Sequence, residues 1–368
     1  MVYLDHNATT PLDERVLEAM LPFLKSFYGN PSALYRIGRL SRSAIETARE
    51  QVAALVGVSP SQVLFTSGGT ESNNLALNSI KSHSRLLISS IEHPSITEPV
   101  ERFQNRSCSV DVLAVDKNGI FERESFEQCC ANRPNFASLI LANNETGVIQ
   151  SIADWAGMLR EQGTIVHTDA VQAAGKIPLA FNALNVQLMS ISGHKIYGPK
   201  GSGALIVEKG IEPEPLQLGG GQEQGFRAGT ENVAAIVGFG KAAELALSEM
   251  PQWRNQMLDL RQLLEQRLAE LNATIFSQAV ERLPNTVQFG MDGVDGEMLL
   301  MQLDKKGFAV SSGSACASGG GMPSPVLTAM GVTRDLAKSA LRVSLGKANT
   351  EADITDFVKC LKTILNRT

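Results

Sequence analysis

The sequence has few cysteines and no long apolar run. Its five cysteines among 368 residues are Cys108, Cys129, Cys130, Cys316 and Cys360. They are odd in number and show no CxxC or metal-site spacing, which indicates a reduced, cytoplasmic protein. The longest apolar runs, such as 137–142 and 204–207, are strand-sized and too short to cross a bilayer. Residues 1–6 have no basic stretch followed by an apolar core, so we expect no secretory signal and no membrane partner.

An excess of positive charge is also missing. The formal net charge is −5, from 33 basic and 38 acidic residues. Because neutralising phosphates requires a basic face, this balance argues against a protein whose main role is to bind nucleic acid. Apolar residues make up 43% and charged residues 19% of the chain, as in ordinary globular proteins. The length suits one large domain and a smaller one.

Short apolar runs alternate with polar turns and helical patterns along the first half of the chain. Such runs lie at 63–65, 86–88, 139–141 and 165–167. This alternation predicts βα units and an α/β fold with a mostly parallel sheet. The pattern softens near Pro251, where we predict that a polar helix over 252–271 begins. We therefore predict a large domain over 12–250 and a small domain over 1–11 and 251–368.

A glycine-rich turn at 67–74 contains Gly69 and Thr70. Glycines let the backbone approach an anion, and the first amides of a following helix point towards it. The turn lacks the Gly-Lys-Ser/Thr of a nucleotide loop, so it suits a single phosphate. A glycine turn with a capping hydroxyl is the alternative.

Two charged residues follow predicted strands. Lys195 can form a Schiff base if its pKa is lowered, although an ordinary solvated lysine has the same sequence context. Its neighbours Ser192 and His194 are candidate phosphate ligands. Asp169 can pair with a protonated pyridine nitrogen, or can simply cap a helix. Gln172 lies close enough to reach the phenolic oxygen of such a ring.

Three further residues complete the candidate site. His93 follows a strand and can stack over a cofactor ring, although a structural role is also possible for a single histidine. Arg342, on a predicted strand, can bind a substrate carboxylate through two hydrogen bonds. Cys316 lies among glycines, serines and alanines at 310–321, a composition typical of a mobile loop that carries a nucleophile. The other four cysteines are interpreted as structural.

Several of these segments carry a family resemblance. The segments are 3–11, 29–32, 66–74, 92–93, 143–147, 169–172, 192–201, 219–232 and 311–316. The chain resembles the cysteine desulfurases of the NifS/IscS group, in the class V aminotransferase family of fold-type I pyridoxal-phosphate enzymes. The sequences SGHK-x-YGPKG and SSGSAC are specific to this pattern. Asn73 departs from it, since many relatives have Asp at this place.

The resemblance implies a large domain with a mostly parallel sheet flanked by helices, and a smaller α+β domain that carries the cysteine loop. It implies pyridoxal phosphate bound covalently to Lys195, with Thr230 of the partner subunit reaching the phosphate in a homodimer. The catalytic residues would be Lys195, Cys316 and His93. The cofactor would be bound by Gly69, Thr70, His93, Asp169, Gln172, Ser192, His194, Lys195 and Thr230.

The substrate would be L-cysteine, with its carboxylate held by Asn144 and Arg342 and assisted by Asn30. Cys316 would take the sulfur as a persulfide and pass it to an acceptor protein, as in iron–sulfur cluster assembly, and no metal site is expected. A class V aminotransferase, a selenocysteine lyase and a silent scaffold are the alternatives. An aminotransferase has no need of Cys316, and a scaffold no need of Lys195.

Overall fold

The computed structural model describes residues 1–104, 107–312 and 322–366. Its strands are β1 Val2–Tyr3, β2 Val63–Thr66, β3 Arg85–Ser89, β4 Ser109–Leu113, β5 Phe136–Ser138, β6 Ile165–Asp169, β7 Leu188–Ser192, β8 Gly203–Val207, β9 Thr274–Ile275, β10 Thr286–Gly290, β11 Phe308–Ala309 and β12 Leu341–Ser344. Its helices are α1 Glu14–Lys25, α2 Arg36–Val56, α3 Gly69–Asn78, α4 Pro94–Gln104, α5 Arg123–Ala131, α6 Ile152–Glu161, α7 Val233–Ala269, α8 Gly296–Lys305, α9 Pro325–Ala329, α10 Arg334–Lys338 and α11 Glu351–Leu365.

The largest sheet has the strand order β2-β8-β7-β6-β5-β3-β4. Only β8 runs antiparallel to its neighbours within this sheet; the remaining pairs are parallel. Residues of β2, β7 and β8 are buried throughout, as expected for strands covered by helices on both faces. The prediction of an α/β fold with a mostly parallel sheet is therefore confirmed.

The long helix α7 differs from the sequence prediction. It begins at Val233 rather than at residue 252, and Pro251 lies inside it. The Asn232 side chain accepts a hydrogen bond from the backbone of Ala235 at 3.2 Å, which satisfies an amide of the first turn. Because α7 continues through Pro251, the predicted domain boundary falls within a helix. The two-domain division remains a prediction.

Helices α7 and α2 pack closely against one side of the large sheet. A Cβ atom at Gly240 would lie 2.5 Å from the Cα atom of Ala48, so only glycine permits this approach. A buried ion pair lies nearby: Arg49 Nη2 is 2.7 Å from Glu223 Oε1. Glu223 Oε2 also accepts a hydrogen bond from the backbone of Phe65 at 2.8 Å. This pair fixes the loop around residue 223 against α2 and β2.

The chain's two ends meet at a smaller sheet with the order β12-β10-β9. The N-terminal strand β1 pairs in parallel with β11, and the next residues run along β12. Ser344 donates its amide to Leu4 O at 2.7 Å, and His6 donates to Ser344 O at 3.1 Å. This pairing carries the N-terminal segment from the small sheet to the edge of the large one. In the part of the chain that the structure describes, no helix is long and apolar enough to span a membrane.

Candidate active site

A cavity of about 400 Å³ opens at the carboxyl edge of the large sheet. Ligands bind at this edge in open α/β sheets, because the turns that leave the strands converge there. Among the described residues, the predicted site members in its lining are Gly69, Thr70, His93, Asn144, Asp169, Gln172, Ser192, His194, Lys195 and Arg342. The structure therefore brings together ten predicted residues from six separate segments of the sequence.

Lys195 ends a short helical turn that directly follows β7. Its amine donates hydrogen bonds to the backbone carbonyls of Asn7 and Ala8, the latter at 2.9 Å. Both acceptors belong to the N-terminal segment, which sequence reasoning did not assign to the site. The lysine is thus held at the cavity by carbonyl dipoles, and an amine held by neutral acceptors can become a nucleophile once it loses its proton.

Asp169 is the last residue of β6 and is buried. Its Oδ2 accepts a hydrogen bond from the Asn73 side chain at 2.7 Å, and its Oδ1 accepts one from the Val171 amide at 2.9 Å. Both oxygens of the carboxylate are thus held by donors from the protein. An ionised carboxylate on the cavity wall is the partner that a protonated pyridine nitrogen requires.

His93 lies on the cavity wall next to the same network. Asn73 donates to Ser95 Oγ at 2.8 Å, and the Ser95 amide donates to His93 Nδ1 at 3.1 Å. Because Nδ1 accepts, the proton of the neutral imidazole is on Nε2. Burial lowers the pKa of His93, while the charge of Asp169 opposes this shift. The ring is therefore neutral and offers one N–H at Nε2.

The first turn of α3 and the end of β7 form one corner of the cavity. A Cβ atom at Gly69 would lie 2.8 Å from Val171 Cγ2, so this position requires glycine. The Ser192 hydroxyl is buried and has no hydrogen-bond partner among the described residues. Burial and the neighbouring Lys195 lower the pKa of His194 to about 4. An orphaned buried hydroxyl beside the free amides of a helix N-terminus fits a phosphate group.

Arg342 projects from β12 into another part of the cavity wall. Its guanidinium is buried, with Nη2 2.7 Å from Asp5 Oδ1. Nη1 donates to the backbone carbonyl of Asn144 at 2.9 Å. The same carbonyl accepts a hydrogen bond from Asn7 Nδ2 at 3.1 Å. A cation fixed in this way can bind the carboxylate of a small substrate.

Glu92 is a cavity residue to which sequence reasoning gave no role. Its Oε1 accepts hydrogen bonds from Ser89 Oγ at 2.5 Å and from the Ile140 amide at 2.7 Å. Its Oε2 is buried without a partner in the described part of the chain. Burial raises the pKa of Glu92 to about 8, so the carboxyl group is mostly protonated at neutral pH. Its position immediately before His93 was the only signal in the sequence.

Two predicted site residues that the structure describes, Asn30 and Thr230, are not brought to this cavity. Asn30 is exposed, and its Oδ1 accepts a hydrogen bond from the Ser32 amide at 2.9 Å, so a carboxylate contact within one chain is not seen. Thr230 is exposed and outside the lining formed by the described residues; its predicted role was across a subunit interface. Cys316 lies outside the described residues. The remaining cysteines, Cys108, Cys129, Cys130 and Cys360, are unpaired thiols.

Comparisons with known proteins agree with this geometry. The model of the aminotransferase class-V family matches residues 2–357. A cysteine desulfurase of Nostoc sp. is 40% identical over 100% of this chain and 93% of its own length. A solved structure named as a NifS-like protein has a TM-score of 0.94 and 37% identity, with 100% of both chains covered. A structure described as SspA in complex with cysteine has a TM-score of 0.83 and 31% identity, covering 95% of this chain and 100% of that one. The chain therefore belongs to the class-V aminotransferase family, among the pyridoxal-phosphate-dependent cysteine desulfurases of the NifS/IscS group.

Proposed function

We propose that this enzyme transfers the sulfur of L-cysteine to Cys316 as a persulfide, releases L-alanine and then passes the sulfur to an acceptor protein. The supporting observation is that Lys195 and Arg342 line one cavity and are connected through Asn7 and the Asn144 carbonyl. An amino-acid substrate needs an amine-reactive group and a carboxylate-binding group within its own length. This cavity offers both.

The polar residues that line the cavity would each contact a particular part of pyridoxal phosphate. Bound pyridoxal phosphate supplies an electron sink for charge that develops at the substrate's α-carbon. Lys195 holds the cofactor and moves the α-proton, while Asp169 keeps the pyridine nitrogen protonated. Thr70, Ser192 and His194 bind the phosphate, and Gln172 donates to the phenolic oxygen. His93 lies against the ring.

The sulfur step belongs to Cys316. Its thiolate attacks the sulfur of the bound cysteine, so that an S–S bond forms as the C–S bond breaks. The electron pair of the broken bond stays with carbon, which takes up a proton on its way to becoming the methyl group of alanine. Arg342 and Asn144 hold the substrate carboxylate during this exchange. A thiol acceptor then removes the outer sulfur from the persulfide.

A cytoplasmic homodimer is part of the proposal. Thr230 of the partner subunit would complete the phosphate site, since Thr230 does not line the cavity within the described part of one chain. Large apolar side chains at Tyr28, Leu34 and Leu218 are 81%, 87% and 86% exposed in the single chain. Tyr28 and Leu34 lie in the same loop, between α1 and α2, and apolar side chains exposed together suit a surface that binds another protein. Asn30 lies in the loop between Tyr28 and Leu34 and would act from the interface.

The test is alanine release from L-cysteine with a dithiol reductant present. We expect the wild type to turn over, and Cys316→Ser to stop while keeping the absorbance of the bound cofactor. Cys360→Ser is the matched control, because Cys360 lies on α11 and outside the cavity lining of the described residues. It should retain activity.

Other outcomes would redirect the proposal. Equal alanine release by wild type and Cys316→Ser would contradict a persulfide on Cys316. Alanine from selenocysteine but not from cysteine would indicate a lyase. Transfer of the amino group to a 2-oxo acid would indicate an aminotransferase.

A further inference from the structure

Lys176 is a buried lysine beside the cavity and has no assigned role. Only 5% of its surface is exposed. Its amine donates to Gln172 Oε1 at 2.5 Å and to Asn7 Oδ1 at 3.0 Å. Both acceptors are neutral amides, and among the described residues no carboxylate forms an ion pair with it. A buried cation without an anion is costly, so this position calls for a negative partner or another compensating role.

Lys176 and Asn7 fix the orientation of the Gln172 amide. The backbone carbonyl of Asn7 can only accept, so the Gln172 amide must turn its nitrogen to that carbonyl and its oxygen to the Lys176 amine. The nitrogen Nε2 then donates to the backbone carbonyl of Asn7 at 2.9 Å. Nε2 carries two hydrogens, and one of them remains for a group inside the cavity that Gln172 lines. Gln172 is thereby committed to donating towards the cavity.

The same network reaches the catalytic lysine. The Asn7 carbonyl that accepts from Gln172 also accepts from Lys195. Lys176, Gln172, Asn7 and Lys195 therefore form one connected set of hydrogen bonds. Burial, followed by the charges of Lys195 and Arg342, places the pKa of Lys176 well below its usual value. The titratable and charged groups around this set are His6, His93, Asp169, His194, Lys195 and Arg342.

We propose that Lys176 is a positioning residue that sets the charge and the hydrogen bonding at the phenolic oxygen of pyridoxal phosphate through Gln172. This inference rests on the proposed contact between Gln172 and that oxygen. Burial and the charges of Lys195 and Arg342 favour the neutral amine of Lys176, and the negative charge of a phenolate oxygen nearby would favour its protonated form instead. In return, positive charge and a fixed donor stabilise the phenolate. The positive charge and the donor both lower the pKa of the bound cofactor, which is the midpoint of its absorbance titration.

The test is a pH titration of the cofactor's visible absorbance in the holoenzyme. Lys176→Met keeps a similar side-chain length but removes the charge and the donors. We expect the midpoint of the titration to rise by roughly one pH unit, and the affinity of the apoprotein for pyridoxal phosphate to fall. Lys241→Met, on α7, is the control and should leave both quantities unchanged, because Lys241 pairs with Glu244 at the surface.

A double-mutant cycle separates positioning from packing. If Lys176 acts through Gln172, then Gln172→Met should also raise the midpoint, and the double variant should add less than the sum of the two shifts. Lys176→Gln, which keeps an amide donor, serves if the methionine variant does not fold, and it should shift the midpoint in the same direction.

Two outcomes would overturn the inference. One is an unchanged titration midpoint in the Lys176 variants that bind the cofactor, even with a lower unfolding temperature. The other is an unchanged midpoint in Gln172→Met. Failure of the proposed function is a separate result, since it would appear as no alanine release by the wild type.

Discussion

The side-chain amide of Asn73 donates a hydrogen bond to the Asp169 carboxylate over 2.7 Å. Many relatives in the family pattern carry Asp at this place, which would put two carboxyl groups in contact. Two such groups cannot both ionise and must share a proton. In this chain the asparagine removes that requirement, so Asp169 keeps a donor at every pH.

The variant Asn73→Asp tests this relationship. We expect its retention of pyridoxal phosphate to depend on pH and to fall as the pH rises and the shared proton is lost. The measurement is cofactor absorbance after gel filtration at each pH. Asn73→Ala, which adds no charge, should show a smaller loss that does not depend on pH. Equal retention by wild type and Asn73→Asp throughout would contradict the argument.

Glu92 should make the apoprotein less stable at alkaline pH. Because burial raises its pKa from 4.5 to about 8, the folded state binds more protons than the unfolded state between these values. The free energy of unfolding therefore falls as pH rises through this window, by at most about 1.4 kcal/mol per pH unit from this one group. Glu92→Gln resembles the protonated form and should lose part of this dependence.

Urea unfolding of the apoprotein at pH 6 and at pH 8 measures the Glu92 effect. The difference in unfolding free energy between the two pH values should be smaller in Glu92→Gln than in the wild type. Glu98→Gln, at an exposed position of α4, should keep the wild-type difference. An identical difference in all three proteins would show that Glu92 ionises without penalty.

Arg342→Lys should weaken substrate binding. Lysine keeps the charge but cannot contact Asp5, the Asn144 carbonyl and a carboxylate in one plane. We expect KM for L-cysteine to rise about 10-fold to 100-fold with the cofactor absorbance unchanged. Steady-state kinetics with the exposed Arg334→Lys variant as control provides the measurement. A lower kcat with an unchanged KM would place Arg342 in a different role.

Removal of one charge from the buried Arg49–Glu223 ion pair should lower the stability of the fold strongly. Both side chains are buried, at 9% and 3% exposure, so Glu223→Gln leaves a buried cation with a weaker partner and should cost about 3–5 kcal/mol of unfolding free energy. The exposed pair Arg123–Glu127 is the control, and Glu127→Gln should cost less than about 1 kcal/mol. Denaturant unfolding would contradict this if both variants lost the same amount.

Local sequence signals predicted much of the fold and the cavity. Apolar runs with polar exits marked β2, β3 and β6, and the strand predicted before Lys195 is β7. The run at 139–141, in contrast, follows β5 and is not a strand. Parallel strands bring their carboxyl ends to one edge. The residues at those exits, among them His93, Asp169 and Lys195, accordingly share the cavity. These residues could be placed because each one follows a short apolar run that predicts a strand.

What depends on distant pairing was missed. No local sequence pattern indicates a role for Asp5, Asn7 or Lys176. Their contacts form only when the N-terminal segment lies along β12 and against the turn that follows β6. Asp5 and Arg342 are 337 positions apart. The predicted start of α7 was also wrong, because Pro251 was taken as a helix boundary although the helix continues through it.

The pairing of Leu4–Asn7 with β12 has a consequence for synthesis of the protein. Residues 4–7 leave the ribosome long before Arg342 and Ser344, which contact them. A nascent chain can assemble the large sheet and present Lys195 before β12 exists. It cannot yet hold a substrate carboxylate, because Arg342 lies on β12. Activity towards cysteine therefore requires that β12 has been synthesised. A chain that stops before β12 has the reactive Lys195 but lacks Arg342.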